Sequence, residues 1–173
     1  MLPWGRLRDV PSQSIRAHVV VVTKCPEHMQ PIDRRVVANA LQLPSYQQLV
    51  FSHITYQPLS LPGTPLLVTG IANPQPMLAY LREQYPNTEL LAFPDHHIFT
   101  NNDLEIIRAK AENYICVVTT EKDYMRLQHT ALVKQLGNKL YVQTIKTDFG
   151  IDKEAFDRAI RLYVSENNRN SKH

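Results

Sequence analysis

The chain has 173 residues, of which 43% are hydrophobic and 20% charged, and its formal net charge is +3. That length and apolar fraction suit one soluble domain with a real core and argue against a disordered chain. The small charge, scattered except at Arg34-Arg35, argues against a nucleic-acid partner, and no apolar run approaches the roughly 18 residues of a membrane span.

The opening residues, with Leu2, Trp4, Leu7 and Val10 set among Pro and Arg, form no periodic pattern and carry no signal-peptide sequence. Residues 1–18 are expected to be a loop or linker belonging to a larger protein, followed by an α/β domain at 19–166 and a frayed polar tail at 167–173. Val19–Val22 is a β-branched run, expected as a buried strand. Residues 33–43 place Val36, Val37, Ala40 and Leu41 on one helical face, and 49–56 alternate as a half-exposed strand. After a Pro- and Gly-bearing connection at 58–65, residues 66–69 form a strand. The turn Gly70-Ile71-Ala72 leads to Asn73 as N-cap and Pro74 at the first helical position.

Residues 90–93 are the next strand. Beyond Asp95-His96-His97, Thr100 and Asp103 have capping-box spacing for a helix bearing Leu104, Ile107 and Ala111. Residues 115–118 are a strand, and Thr119-Thr120-Glu121-Lys122-Asp123 leads into a helix ending near Leu136. A strand at 140–145 and a helix marked by Phe156, Ala159, Ile160 and Tyr163 close the chain. Strands alternating with helices at this spacing imply an α/β fold: an open, largely parallel sheet flanked by helices in a Rossmann-like three-layer arrangement. The loops at Thr23-Lys24, 70–73, 95–97 and 119–123 each follow a strand. A single parallel sheet would bring all four to its carboxyl edge, where open α/β folds bind ligands.

Asp95, His96 and His97 offer general acid–base or metal-ligating groups at a strand end; the plainer role is hydrogen bonding at a helix entrance. The 119–123 segment offers hydroxyls, a carboxylate and an ammonium to a ligand, or else a helix N-terminus capped by Thr120 with Asp123 on the dipole. Residues 70–73 read first as a turn and cap. Arg6 and Arg8 suit phosphate. None of the five glycines precedes a Lys, so the chain holds no P-loop. Asp148-Phe149-Gly150 lacks the other protein-kinase motifs and is expected to be a turn. Cys25 and Cys116 read as reduced core thiols, and no His or Cys has metal-ligand spacing.

Five segments in order resemble the carboxyl-terminal portion of the tetraacyldisaccharide 4'-kinase (lipid A 4'-kinase) family, a P-loop relative. They are Leu2-Pro3-Trp4-Gly5-Arg6-Leu7-Arg8-Asp9, Arg16-Ala17 with Val19 to Lys24, Gly70-Ile71-Ala72-Asn73-Pro74, Phe93-Pro94-Asp95-His96-His97, and Thr119 to Asp123. At Asp9 the family carries Glu, one methylene longer. The resemblance implies a kinase moving the γ-phosphate of ATP to the 4'-hydroxyl of a lipid disaccharide 1-phosphate, giving lipid IVA, at the cytoplasmic face of a Gram-negative inner membrane.

The resemblance further places the ATP and Mg²⁺ residues, and an Asp base, in an amino-terminal nucleotide-binding half outside this chain, which alone is expected to be inactive. His96 aligns with the histidine that partners that base. The expected site is thus His96 and Asp95 for catalysis, with Arg8, Asp9, His97, Asn73, Glu121 and Lys122 for substrate or phosphate, and no metal ligand. The alternatives are a metal-dependent phosphoesterase built on Asp-His-His, and a non-catalytic α/β interaction module.

Overall fold

A computed structural model describes residues 11–170 of the chain. It divides into two compact units, Tyr56–Lys146 and, on either side of it in sequence, residues up to Thr55 with those from Thr147 onward.

The flanking unit begins with a 3-10 helix, Pro11–Arg16, and strand β1, Val19–Val22. Helix α1, Pro31–Leu41, follows, then β2, Gln48–Phe51, which runs parallel to β1 with Val19 opposite Gln48. No residue of α1 is buried: Val36 is 61% exposed and Ala40 exposed, so the expected apolar face is only half-covered, through Val37 and Leu41. The expected strand at 49–56 is interrupted at Ser52, and β3, His53–Tyr56, leaves to pair with β8, Ile145–Asp148. The break falls where Ser52 is tied to the loop after β1: its N–H donates to Val22 O at 2.9 Å and its carbonyl accepts from Cys25 N at 3.0 Å. A 3-10 turn at Gly150–Asp152 precedes α6, Lys153–Asn170, which reaches past residue 166. Arg34 of α1 meets Asp152 at 2.7 Å and lies over the Phe51 ring at 4.2 Å.

The central unit is a three-layer α/β fold around four parallel strands in the order β5-β4-β6-β7. β4 is Pro65–Thr69, β5 Glu89–Ala92, β6 Cys116–Thr120 and β7 Leu140–Gln143. β4 and β6 are buried along their whole length, as the inner strands of a sheet covered on both faces must be. Alternation along them builds the two outer layers. Leu66, Val68 and Val117 pack with Ile107 and Ala111 of α3 (Asn101–Ala111), Leu127 of α4 (Glu121–Leu127) and Leu132 of α5 (Ala131–Leu136). Leu67 and Val118 turn the other way, onto Met77, Leu78 and Leu81 of α2, Gln75–Gln84. Each fully buried Leu or Val contributes about 1.5–3 kcal/mol.

Further boundaries differ from the sequence reading, among them the strand expected at 140–145, which ends as β7 at Gln143 while Ile145 begins β8 in another sheet. The single helix expected up to Leu136 is two, α4 and α5, because Thr130 N–H and Oγ1 both turn back to Leu127 O and break the helical ladder. α2 starts one residue later than expected, after Pro74, with Asn73 Oδ1 accepting from Gln75 N at 3.3 Å. Among the described residues no helix is long and apolar enough to cross a membrane.

Candidate functional site

Order β5-β4-β6-β7 means that the chain leaves β4 toward one side of the sheet and later returns to add β6 on the other. The β4 and β6 exits therefore diverge, and open α/β sheets bind ligands in the crevice such a reversal creates. Three of the four polar segments converge on this edge: 70–73 after β4, 95–97 after β5, and 119–123, which proves to be no loop but the end of β6 (Thr119, Thr120) and the first turn of α4. The fourth belongs to a different sheet. Thr23-Lys24 follows β1, which belongs to the two-stranded sheet of the flanking unit. The next residue, Cys25, lines a separate hollow of about 270 Å³ in that unit, with Arg34, Phe51, His53 and Phe149.

The two adjacent histidines have opposite settings. His97 is held: its Nε2 lies 3.0 Å from Asp103 Oδ2, and its ring stacks on Phe93 at 5.1 Å and meets Phe99 edge-on at 5.3 Å. Asp103 is held in turn by Thr100, whose Oγ1 and N donate to Oδ2 at 2.6 and 2.7 Å, completing the expected capping box. These Thr100 donors, then His97, lower the Asp103 carboxyl to about 2. His96 is displayed instead. Its side chain is 77% exposed and its backbone is left-handed at φ 59°, a conformation that costs a residue with a Cβ about 1–2 kcal/mol. Asp95 holds that turn by accepting from His96 N at 2.9 Å.

Lys122, at the start of α4, donates to Asp95 Oδ1 at 3.0 Å, and His96 Nε2 stands 3.5 Å from Oδ2. The ammonium first, and the neighbouring imidazole after it, hold the Asp95 carboxyl below the usual range. Of the residues expected at the site, the fold thus joins Asp95, His96 and Lys122 in one cluster, with His97 on the same loop. Glu121 stands exposed beside Lys122, and Asn73 serves the α2 entrance. Arg8 and Asp9 lie outside the described residues.

The 119–123 segment was expected either to offer polar groups to a ligand or to start a helix with Asp123 on its dipole; Asp123 stands in the first turn of α4 and does more. It is fully buried, and its Oδ2 accepts from Thr69 Oγ1 at 2.8 Å, Thr120 Oγ1 at 2.8 Å and Gly70 N at 2.9 Å, tying the end of β4 to that of β6. Gly70 is closely packed: a Cβ there would stand 3.2 Å from Pro94 O, 3.4 Å from Asp123 Oδ1 and 3.5 Å from His97 Cβ. The Thr-x-x-Asp spacing of 120–123 repeats that of 100–103 and was the available signal. Among the described residues no group of three or more His, Cys, Asp or Glu is disposed to hold a metal ion.

The family model described as "Tetraacyldisaccharide-1-P 4'-kinase" matches residues 1–165. The chain is 38% identical over 192 residues to the "Tetraacyldisaccharide 4'-kinase" of Phocaeicola vulgatus, covering 99% of this chain and 52% of that protein. It is 39% identical over 180 residues to the protein of the same name from Flavobacterium johnsoniae, covering 96% and 51%, and 36% identical over 200 residues to that of Bacteroides thetaiotaomicron, covering 99% and 52%. The chain spans about half the length of these curated relatives.

Proposed function

Because this chain belongs to the tetraacyldisaccharide 4'-kinase family, we propose that it is the carboxyl-terminal portion of such a kinase, and that the intact protein transfers the γ-phosphate of ATP to the 4'-hydroxyl of a tetraacyldisaccharide 1-phosphate. The work would take place at the cytoplasmic face of an inner membrane, where the acyl chains of the substrate reside. Phosphoryl transfer asks for positioning and charge neutralisation more than covalent chemistry. ATP and Mg²⁺ would be held by the amino-terminal half, since no Gly-Lys pair occurs in this chain and, among its described residues, no group of three or more His, Cys, Asp or Glu is disposed to hold a metal ion. When bound, they would supply the transferable phosphoryl group and neutralise its charge.

The observation that carries this reading is the contrast between His96 and His97. His97 is spoken for by Asp103, Phe93 and Phe99, whereas His96 presents an imidazole 77% exposed on a backbone turn that is costly to maintain. Such a group is suited to meet a carboxylate contributed from outside the chain. In the proposed mechanism His96 orients that Asp base against the 4'-hydroxyl. Asp95, fixed by Lys122, holds the His96 turn by accepting from its backbone N–H. Arg8 would neutralise substrate phosphate, with Asp9, Asn73, Glu121 and His97 bordering the bound substrate.

The phosphoesterase alternative needs a ligand cluster that the described residues do not form. The test is direct. This chain alone should neither bind ATP–Mg²⁺ in a calorimetric titration nor phosphorylate the disaccharide, and joined to its amino-terminal half it should do both. Micromolar ATP binding by the isolated chain, or an inactive joined protein, would defeat the proposal.

A further inference from the structure

Lys122 and Asp123 are neighbours in the first turn of α4 yet reach different loops: Lys122 holds Asp95, after β5, and Asp123 holds Thr69 and Gly70, at the exit of β4. We propose that Asp123 is a positioning residue that locks the β4 and β6 exits together and thereby fixes where Lys122 presents Asp95 and His96. This deepens the kinase reading and rests on it for the importance of the 95–97 loop.

Three observations carry it. First, Asp123 is fully buried, and one oxygen receives three hydrogen bonds from two different strand ends, while Oδ1 meets Arg126 Nη1 at 3.3 Å. A buried charge is a poor device for stability alone, since apolar residues of like volume commonly do as well; what it gives is a fixed geometry, because each donor has one direction. Second, the lock lies between β4 and β6, the strands at which the sheet order reverses. Third, Gly70 is where the lock and the 95–97 loop come close: a Cβ there would stand 3.2 Å from Pro94 O, 3.4 Å from Asp123 Oδ1 and 3.5 Å from His97 Cβ, so the glycine that Asp123 holds lies beside both flanks of Asp95-His96. Asp123 touches no substrate in this scheme. It acts through Gly70 and α4.

The readout is the titration of Asp95, which faces Lys122 and His96. In the 173-residue chain, carbon-13 NMR of the Asp95 carboxyl gives its midpoint, and Lys122→Gln sets the shift produced by losing the ion pair outright. Asp123→Ala should raise the Asp95 midpoint by most of that shift, and Asp123→Asn, which keeps an acceptor oxygen but not the charge, by less. Thr69→Val, which removes one donor with little change of volume, should also raise it and keeps the question answerable if Asp123→Ala does not fold. A drop in thermal midpoint with the Asp95 titration unmoved in the folded variants would make Asp123 merely structural and overturn the proposal. The kinase reading fails separately. If the Asp95 midpoint responds but His96→Ala leaves turnover of the joined kinase intact, the positioning stands and the catalytic role of the loop falls.

Discussion

The His97 imidazole and the Asp103 carboxylate meet at 3.0 Å across six positions of sequence, and the meeting decides which of two adjacent histidines is structural. Asp103, lowered to about 2, is ionised at any ordinary pH and can only accept, so His97 Nε2 is the donor.

The Thr100 donors, and His97 after them, set an acid limit. Asp103 has a folded pKa of about 2 against an ordinary 3.8, so its contribution to stability is complete above about 3.8 and drains away as pH falls toward about 2. Urea midpoints should therefore fall with pH across that window. In Asp103→Asn, already weaker at neutral pH, this part of the fall should be missing; an unchanged slope would contradict the assignment.

Gly70 predicts an intolerant site. Adding a methyl group places it 3.2 Å from a backbone carbonyl that cannot rotate away and 3.4 Å from the Asp123 carboxylate. Gly70→Ala should cost about 1–3 kcal/mol, in the range of overpacked cores. Chemical denaturation measures it, and a neutral result would mean that the Pro94 loop yields.

His96 and His97 should separate stability from turnover. In the joined kinase, His96→Ala should lower kcat by roughly 10²–10⁴-fold, the range of acid–base contributions, with KM little changed. His97→Ala should lower the thermal midpoint more and kcat less. At φ 59° a glycine is at ease, so His96→Gly should be more stable than His96→Ala by up to about 1 kcal/mol while equally poor in turnover. Turnover near wild type in both His96 variants would remove it from the mechanism.

The two cysteines should differ in reactivity. Cys116 is buried, its Sγ meets Gly63 O at 3.3 Å, and burial pushes its thiol pKa up, whereas Cys25 is partly exposed. A chromogenic disulfide reagent at neutral pH should titrate Cys25 first and Cys116 only as the chain unfolds. Equal rates would show that β6 opens readily. The expectation of two core thiols thus holds for Cys116 and not for Cys25.

What the sequence determined by itself was whatever depends on neighbours in the chain. Runs such as Val19–Val22 announced strands because β-branched apolar residues suit a pleat, although the burial expected of β1 is not met: none of its four residues is buried and Val21 is 36% exposed. Thr100 and Asp103 announced a helix start because a capping box closes over three residues. Alternation of strand and helix was enough for the parallel α/β class and for the convergence of three polar segments on one edge. Tertiary structure decided the rest, where partners are distant in sequence. Thr120-x-x-Asp123 reads like Thr100-x-x-Asp103, yet its carboxylate passes over the local backbone to Gly70, 53 positions away, because β4 and β6 are neighbours in the sheet. Two adjacent histidines look alike on paper. Only the placement of Phe93, Phe99 and Asp103 around one of them distinguishes it from the other, whose side chain stands exposed. The loop at Thr23-Lys24 follows a strand as the others do, but strand pairing, which no local pattern encodes, assigns β1 to β2 and to a different sheet.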